Sequence, residues 1–184
     1  MTTLAQKPEA LYELGKLYSD RGDFFLAMEK LESAGTGFLA TRDFTHYLKT
    51  QNLLLRLYAE TEQDEKIHAT KEKLQDLVLR EGFELNSKTY YTLALCASYK
   101  GQHETALEYC QKALAIALAI DSKEDICYAI SGTAAVYTAM GRFQEALKEI
   151  YNLQIFFEVL PLPEIRISTM ILNSYILTEL KKFD

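Results

Sequence analysis

Met140-Gly-Arg-Phe-Gln-Glu-Ala-Leu147 repeats the pattern of Lys100-Gly-Gln-His-Glu-Thr-Ala-Leu107, and the two copies are 40 residues apart. The same frame fits the segment from Gly22 to Ala27, because its glycine again precedes its alanine by five residues. A degenerate copy has Glu62 and Ile67 at these two positions and keeps the period. A fixed period of this length is typical of a chain built from repeated helix pairs.

The glycine and the alanine of this pattern have separate physical roles. A glycine at the end of a helix permits the left-handed turn, and the alanine lets two antiparallel helices approach closely. The larger Ile67 is therefore expected to widen the second hairpin. Apolar residues recur at three- and four-residue spacing on both sides of each turn, which indicates amphipathic helices. We predict helix pairs at 8–21 with 24–37, 44–61 with 64–81, 87–100 with 103–120 and 123–140 with 143–160, and a ninth helix at 164–181.

The composition agrees with an all-α chain and excludes several classes of protein. Only 8 glycines and 3 prolines occur in 184 residues, too few turn-formers for an all-β sandwich. The net charge of −6 argues against nucleic acid as the main partner, because phosphate binding needs a cationic surface. We find no secretory signal and no apolar run long enough to span a membrane, so we expect a cytoplasmic protein.

The segment Leu11-Tyr-Glu-Leu-Gly-Lys-Leu-Tyr18, followed by Ala27 and Leu31, resembles the tetratricopeptide repeat signature, with Leu in place of its usual Trp. The resemblance implies a right-handed superhelical solenoid of antiparallel helix pairs. The period is longer than the usual repeat of about 34 residues, as in polarity adaptors and many bacterial signalling proteins. The predicted repeats form one array over 1–184, at about 8–40, 44–82, 87–121 and 123–161, with the first helix of a fifth at 164–181.

The end of the chain resembles an interrupted repeat. Phe183 stands 40 residues after Phe143, so we expect residues 180–184 to form a hairpin turn whose second helix is missing, in a fragment of a longer protein. Apolar residues surround the ninth helix, whereas terminal helices of repeat arrays have a polar outer face. The alternative is a homodimer formed through this helix. Its self-association residues would be Ile167, Ile171, Leu177 and Leu180.

The sequence carries no recognisable constellation for catalysis, metal binding or cofactor binding. Three histidines lie in different repeats, and no metal-binding spacing or phosphate-binding loop occurs. The three cysteines form no Cys-x-x-Cys pair, and Cys110 occupies a packing position equivalent to Leu31 and Ile150. We therefore predict no enzyme, no metal and no cofactor.

A partner is expected on the inner face of the array, which the first helix of each repeat lines. Register places the following residues there: Tyr12, Lys16, Lys49, Asn52, Arg56, Lys88, Tyr91, Leu95, Tyr128, Ser131 and Tyr175. Four of them are cationic, which favours an acidic peptide or carboxylate. Relatives with a carboxylate clamp have Asn where this chain has Lys16. The sequence does not choose between an extended peptide and a helix.

These observations predict a protein-interaction module, as the scaffolding or sensory part of a bacterial signalling or regulatory protein. Two alternatives stay open. One is a peptide-ligand sensor of the pheromone-receptor type, which would change its curvature when a short peptide binds. The other is the architectural homodimer formed through the ninth helix.

Overall fold

The computed structural model describes residues 7–181, and every regular element in this range is an α-helix. The described range holds nine helices: α1 (Pro8–Asp20), α2 (Phe24–Ala40), α3 (Phe44–Glu60), α4 (Asp64–Glu81), α5 (Ser87–Tyr99), α6 (His103–Ala119), α7 (Lys123–Ala139), α8 (Phe143–Phe157) and α9 (Pro163–Leu180). They pack as consecutive antiparallel pairs, which confirms the predicted all-α repeat fold. Phe183, on which the predicted terminal turn depends, lies outside the described residues.

The chain divides after Leu85 into two compact units. In the N-terminal unit α1 packs on α2, α2 on α3 and α3 on α4. In the C-terminal unit each helix from α5 to α8 packs on the next, and α9 contacts both α7 and α8. The single array over 1–184 stays a prediction.

Most of the turns between helices have one backbone geometry. The N–H of Asp23 donates to the carbonyl of Tyr18 at 2.9 Å, and the N–H of Gly22 donates to Ser19 at 3.0 Å, which is the Schellman arrangement. In each turn of this kind, the residue just before the one that donates the longer bond has a positive φ, for example 81° at Gly22. The bond from Asp23 to Tyr18 has equivalents in other turns. The backbone N–H donates to the carbonyl five residues earlier from Asp43 to Phe38, Gln63 to Tyr58, Gln102 to Ala97, Ser122 to Ala117 and Arg142 to Tyr137.

Two of the turns between hairpins use the same geometry as the turns within them. Arg42 and Asp121, which lie between hairpins, have φ of 57° and 52°, although neither is glycine. The predicted left-handed turns at the hairpin glycines are confirmed. The structure adds that the backbone motif recurs at about half the sequence period.

The alanine positions lie at the centres of the hairpins, as predicted. Ala27, Ala106 and Ala146 are completely buried, and Ile67 at the equivalent position is 4% exposed. The α3–α4 pair is the least closely packed of the four hairpins, as the bulk of Ile67 predicts.

Two helix boundaries differ from the predicted ones by more than one residue. α2 continues to Ala40, three residues further than expected. α8 ends at Phe157 instead of residue 160. Pro161 and Pro163 follow it, and a proline lacks the N–H that would continue a helix and keeps the preceding residue out of helical conformation.

Candidate partner-binding faces

In the C-terminal unit the first helices of the repeats form an inner row. α5 contacts α7 and α7 contacts α9, whereas α6 and α8 make no comparable contact. Helices that are closer together on one side of a stack define the side towards which the stack curves. The face formed by α5, α7 and α9 is therefore the concave side of this unit.

One side of α5 carries the residues of this helix that the sequence predicted to bind a partner. Lys88 is exposed, and Tyr91 and Leu95 are half-buried. Tyr99 continues the same stripe with 77% of its surface exposed. The four side chains therefore share one side of α5, and their place in a binding face stays a prediction.

Two aromatic rings join α5 to α7 on this face. The ring centroids of Tyr91 and Tyr128 are 5.3 Å apart with an interplanar angle of 58°. A Cβ placed on Gly132 would lie 3.1 Å from the Tyr91 ring, so the missing side chain leaves room for that ring. The half-buried Ser131 is next to this glycine on α7. Tyrosine, serine and glycine thus form a shallow, partly apolar surface.

Lys88 is already neutralised within this face. Its Nζ donates to Glu124 Oε1 at 2.9 Å and lies 3.9 Å from Asp125 Oδ1. It also lies 5.4 Å from the centre of the Tyr128 ring. Burial lowers the pKa of Lys88, but the hydrogen bond to Glu124 and the two carboxylate charges outweigh it and leave the pKa above its ordinary value. The face around Lys88 is therefore ionic without a free positive charge.

Sequence reasoning missed the two carboxylates that hold Lys88. Glu124 and Asp125 lie in the first turn of α7, where negative side chains also interact favourably with the helix N-terminus. Glu124 and Asp125 stand slightly less than one repeat after Lys88 in the sequence. This spacing places them on the first helix of the next repeat, beside Lys88, and is the signal that would have found the pair.

Tyr175 lies further along the inner row, on α9. It is 51% exposed, and its ring is edge-on to Phe143 with centroids 6.4 Å apart. The structure therefore groups Lys88, Tyr91 and Tyr128 closely, with Tyr175 on a separate helix.

In the N-terminal unit the predicted residues fall into two groups. Tyr12 and Lys16 lie on α1, where the Lys16 Nζ is 5.8 Å from the Tyr12 ring centre and 3.5 Å from Glu13 Oε2. Helices α1 and α3 make no contact comparable to that between α5 and α7. The α1 group is therefore separate from the α3 group.

The α3 group presents two cations from one helix face. Lys49 and Arg56 are exposed, and Asn52 between them is half-buried. The Asn52 Oδ1 is buried and has no hydrogen-bond partner among the described residues. This face offers positive charge, and the unpaired Asn52 oxygen lies buried beneath it.

The proposed self-association residues divide into exposed and packed ones. Ile167, Ile171 and Leu177 on α9 are 58%, 66% and 46% exposed. Leu180 instead packs against the buried cluster that contains Ile176. The ninth helix therefore has an exposed apolar side and a buried side.

The three cysteines are poorly placed to act as nucleophiles. Cys96, Cys110 and Cys127 are buried, which confirms the core position predicted for Cys110. Burial raises the pKa of Cys110 and of Cys127 to about 11.

Within residues 7–181 no group of three or more His, Cys, Asp or Glu side chains is arranged to hold a metal ion. In the same range, no helix combines the length and apolarity needed to cross a bilayer.

Comparison with known proteins gives one family and one fold. Residues 86–149 match the model of the family described as tetratricopeptide repeat. A kinesin light chain candidate from Podosopora anserina with nearly identical TPR-like repeats is similar over 98% of this chain and 90% of its own, with 19% identity and a TM-score of 0.67. A single-substitution variant of it is similar over 99% and 90%, with 18% identity and a TM-score of 0.69. No curated protein matches the chain.

Proposed function

We propose that this chain, whose residues 86–149 match the tetratricopeptide repeat model, is a protein-interaction module that binds a segment of another protein on the inner row of α5, α7 and α9. Tetratricopeptide repeats are generally interaction modules and typically non-catalytic. The observation that carries the proposal is the tyrosine pair of Tyr91 and Tyr128 beside Ser131. Tyrosine offers an apolar ring and a polar hydroxyl, a combination enriched at protein interfaces.

The acidic-partner hypothesis is supported by the N-terminal unit. Since Lys88 is paired with Glu124, the exposed Lys49 and Arg56 of α3 are the stronger candidates for contact with a carboxylate. We propose that an acidic segment binds there, while the C-terminal face takes a more apolar segment.

The scaffolding or sensory role in a bacterial, cytoplasmic signalling protein is a further part of the proposal. Its support is the resemblance of the long repeats to those of signalling proteins. The module itself needs no chemistry, because recognition by such a face uses packing and hydrogen bonds alone.

The test is an affinity capture from cells with three matched baits beside the wild type. Ser131→Arg fills the C-terminal face, Arg56→Glu reverses the charge on α3, and Lys148→Glu changes an exposed residue of α8 outside the inner row. We expect Lys148→Glu to retain the partner and Ser131→Arg to lose it, with unchanged thermal unfolding of all three. Arg56→Glu should reduce capture at low salt and much less at high salt, since salt screens exposed charges. Equal capture by Ser131→Arg would remove the proposed face.

A second function, an architectural homodimer, is favoured by the exposed side of α9. Ile167, Met170 and Ile171 are each more than half exposed, and exposed apolar patches mark association sites. Sedimentation of Ile171→Asp and of Ile155→Asp provides the test, because the two isoleucines are 66% and 67% exposed on different helices. A dimer through α9 would be lost only in Ile171→Asp. A monomeric wild type would exclude this function.

A further inference from the structure

A second groove lies in the N-terminal unit, between α2, α3 and α4. Its volume is about 310 Å³, at the lower end of the range of about 300 to 1,000 Å³ that is usual for ligand sites. Successive residues of a helix are rotated by 100°, so the α3 residues of this groove lie opposite Lys49 and Arg56 on that helix. The lining consists of Glu32, Thr36, Gln51, Leu54, Tyr58, Lys66, Ala69, Thr70 and Lys73.

Gln51 is the unusual member of this lining. It is only 7% exposed, yet its side-chain amide forms no hydrogen bond with any described residue. The Gln51 amide atoms are not among the fully buried side-chain atoms that lack a hydrogen-bond partner, so the amide is accessible from the groove. It is therefore available to a hydrogen-bonding ligand.

The backbone beside Gln51 makes room for its amide. A Cβ placed on Gly35 of α2 would lie 2.9 Å from Gln51 Nε2, closer than a side chain can be accommodated without movement. The glycine therefore allows the amide to occupy its place in the groove.

The repeat itself shows that this position does not need a polar residue. Ile130 of α7 stands at the equivalent position of the fourth repeat, 79 residues later, as Gly141 does for Glu62. Ile130 packs against the buried cluster of Cys127, Leu153 and Ile165. An apolar side chain thus satisfies the fold, and the amide of Gln51 is an addition to it.

The charges of the groove leave one cation available. Glu32 Oε1 accepts from the Tyr58 hydroxyl and from Lys66 Nζ, both at 2.9 Å, so these three groups satisfy one another. Lys73 forms no ion pair with a described carboxylate, and its Nζ lies 5.8 Å from the centre of the buried Tyr47 ring. An ammonium on this side of an amide-bearing groove suits an anionic group.

We propose that this groove binds an extended peptide segment with an acidic side chain. The Gln51 amide both donates and accepts, as pairing with a backbone peptide group requires. Lys73 binds the carboxylate of the same segment, and Leu54 provides an apolar floor. The site is distinct from the inner row and does not depend on the function proposed for it.

The experiment follows the side-chain NH₂ signals of Gln51 by ¹H–¹⁵N NMR in the full chain. These signals are assigned by their loss in Gln51→Leu. The probe is a mixture of acetylated and amidated pentapeptides with Glu fixed at the centre, and the matched mixture has Gln there. We expect the Gln51 signals to shift saturably, with the Glu mixture saturating at about fivefold lower concentration, the effect of one exposed ion pair.

Three variants complete the test. Lys73→Gln should make the two mixtures equal, Gly35→Ala should weaken both, and Lys148→Gln on α8 should change neither. Gln51→Leu should change the Tm by no more than a few degrees, because Ile130 shows that an apolar side chain fits the equivalent position of the fourth repeat. The proposal is overturned if the Gln51 signals do not move at millimolar peptide, if Lys73→Gln still prefers Glu, or if Lys148→Gln abolishes the shift.

Discussion

The second and fourth hairpins solve the same structural problem with different residues. The α7–α8 hairpin turns at Gly141 with φ of 72° and packs around the fully buried Ala146. The α3–α4 hairpin turns at Glu62 with φ of 55° and has Ile67 at its centre. Both keep the long turn hydrogen bond, at 2.8 Å in each. The turn geometry is therefore independent of glycine, whereas the closeness of the two helices depends on the central side chain.

The largest expected effect is overpacking of the fourth hairpin. Ala146→Phe places a ring where Ala134, Ile150 and Ile176 leave no space, and we expect a loss of about 3 kcal/mol in the free energy of unfolding. Ile67→Phe in the looser second hairpin should cost about 1 kcal/mol or less. Urea unfolding of both variants measures the difference. Equal costs would show that the two hairpins are packed alike.

The second effect concerns the turn glycine of the fourth hairpin. Gly141→Ala should destabilise the chain by about 1 kcal/mol, because a Cβ is unfavourable in the left-handed conformation. No atom lies within 4 Å of the added Cβ, so a steric clash contributes nothing. Thermal unfolding with Lys148→Ala as a surface control provides the measurement. A change within the error of the control would contradict the strain argument.

The reverse substitution in the second hairpin should have a smaller effect of opposite sign. Glu62→Gly removes the strain of a non-glycine residue at positive φ, but it also makes the unfolded chain more flexible. We expect a net gain of about 0.5 kcal/mol in the free energy of unfolding. A loss in urea unfolding would mean that Glu62 makes a favourable contribution that outweighs its conformation.

The smallest expected effect concerns the N-terminal caps of α3 and α7, the first helices of the two hairpins. Asp43 caps α3 by accepting from the His46 N–H at 3.1 Å, whereas the neutral Ser122 caps α7 at 3.3 Å from Asp125 N. The backbone hydrogen bond from His46 lowers the pKa of Asp43 below its ordinary value of 3.8. Because the folded pKa is the lower one, the charged cap stabilises the fold above about pH 4 and loses this contribution as the pH falls through the folded value.

Asp43→Asn tests this dependence, since asparagine caps helices equally well without a titrating group. The wild type should exceed Asp43→Asn in stability at pH 6 by less than about 0.5 kcal/mol, and the difference should vanish near pH 2. Chemical unfolding at the two pH values measures it. A difference that persists at pH 2 would assign the effect to something other than the charge of Asp43.

Much of the fold was predictable because its signals are local. Eight helix starts agree with the predicted positions, since a cap or turn residue precedes each one in the sequence. The end of α8 was wrong because the periodic pattern continued to residue 160, while Pro161 and Pro163 act against it. The exposed stripe of α5 was predictable from helical register, but the pairing of Lys88 with Glu124 was not, because it depends on how two repeats pack.

The sequence alone determined the repeat, its period and which residues turn the chain, because backbone conformation and helix periodicity are encoded within a few residues. Only the tertiary structure decided which charges are neutralised and which polar groups are left without a partner. Lys88 and Gln51 are the two examples: one cation is bound by acids of the next repeat, and one amide is buried where another repeat has Ile130. Both outcomes depend on distances between separate helices, which no local pattern in the sequence specifies.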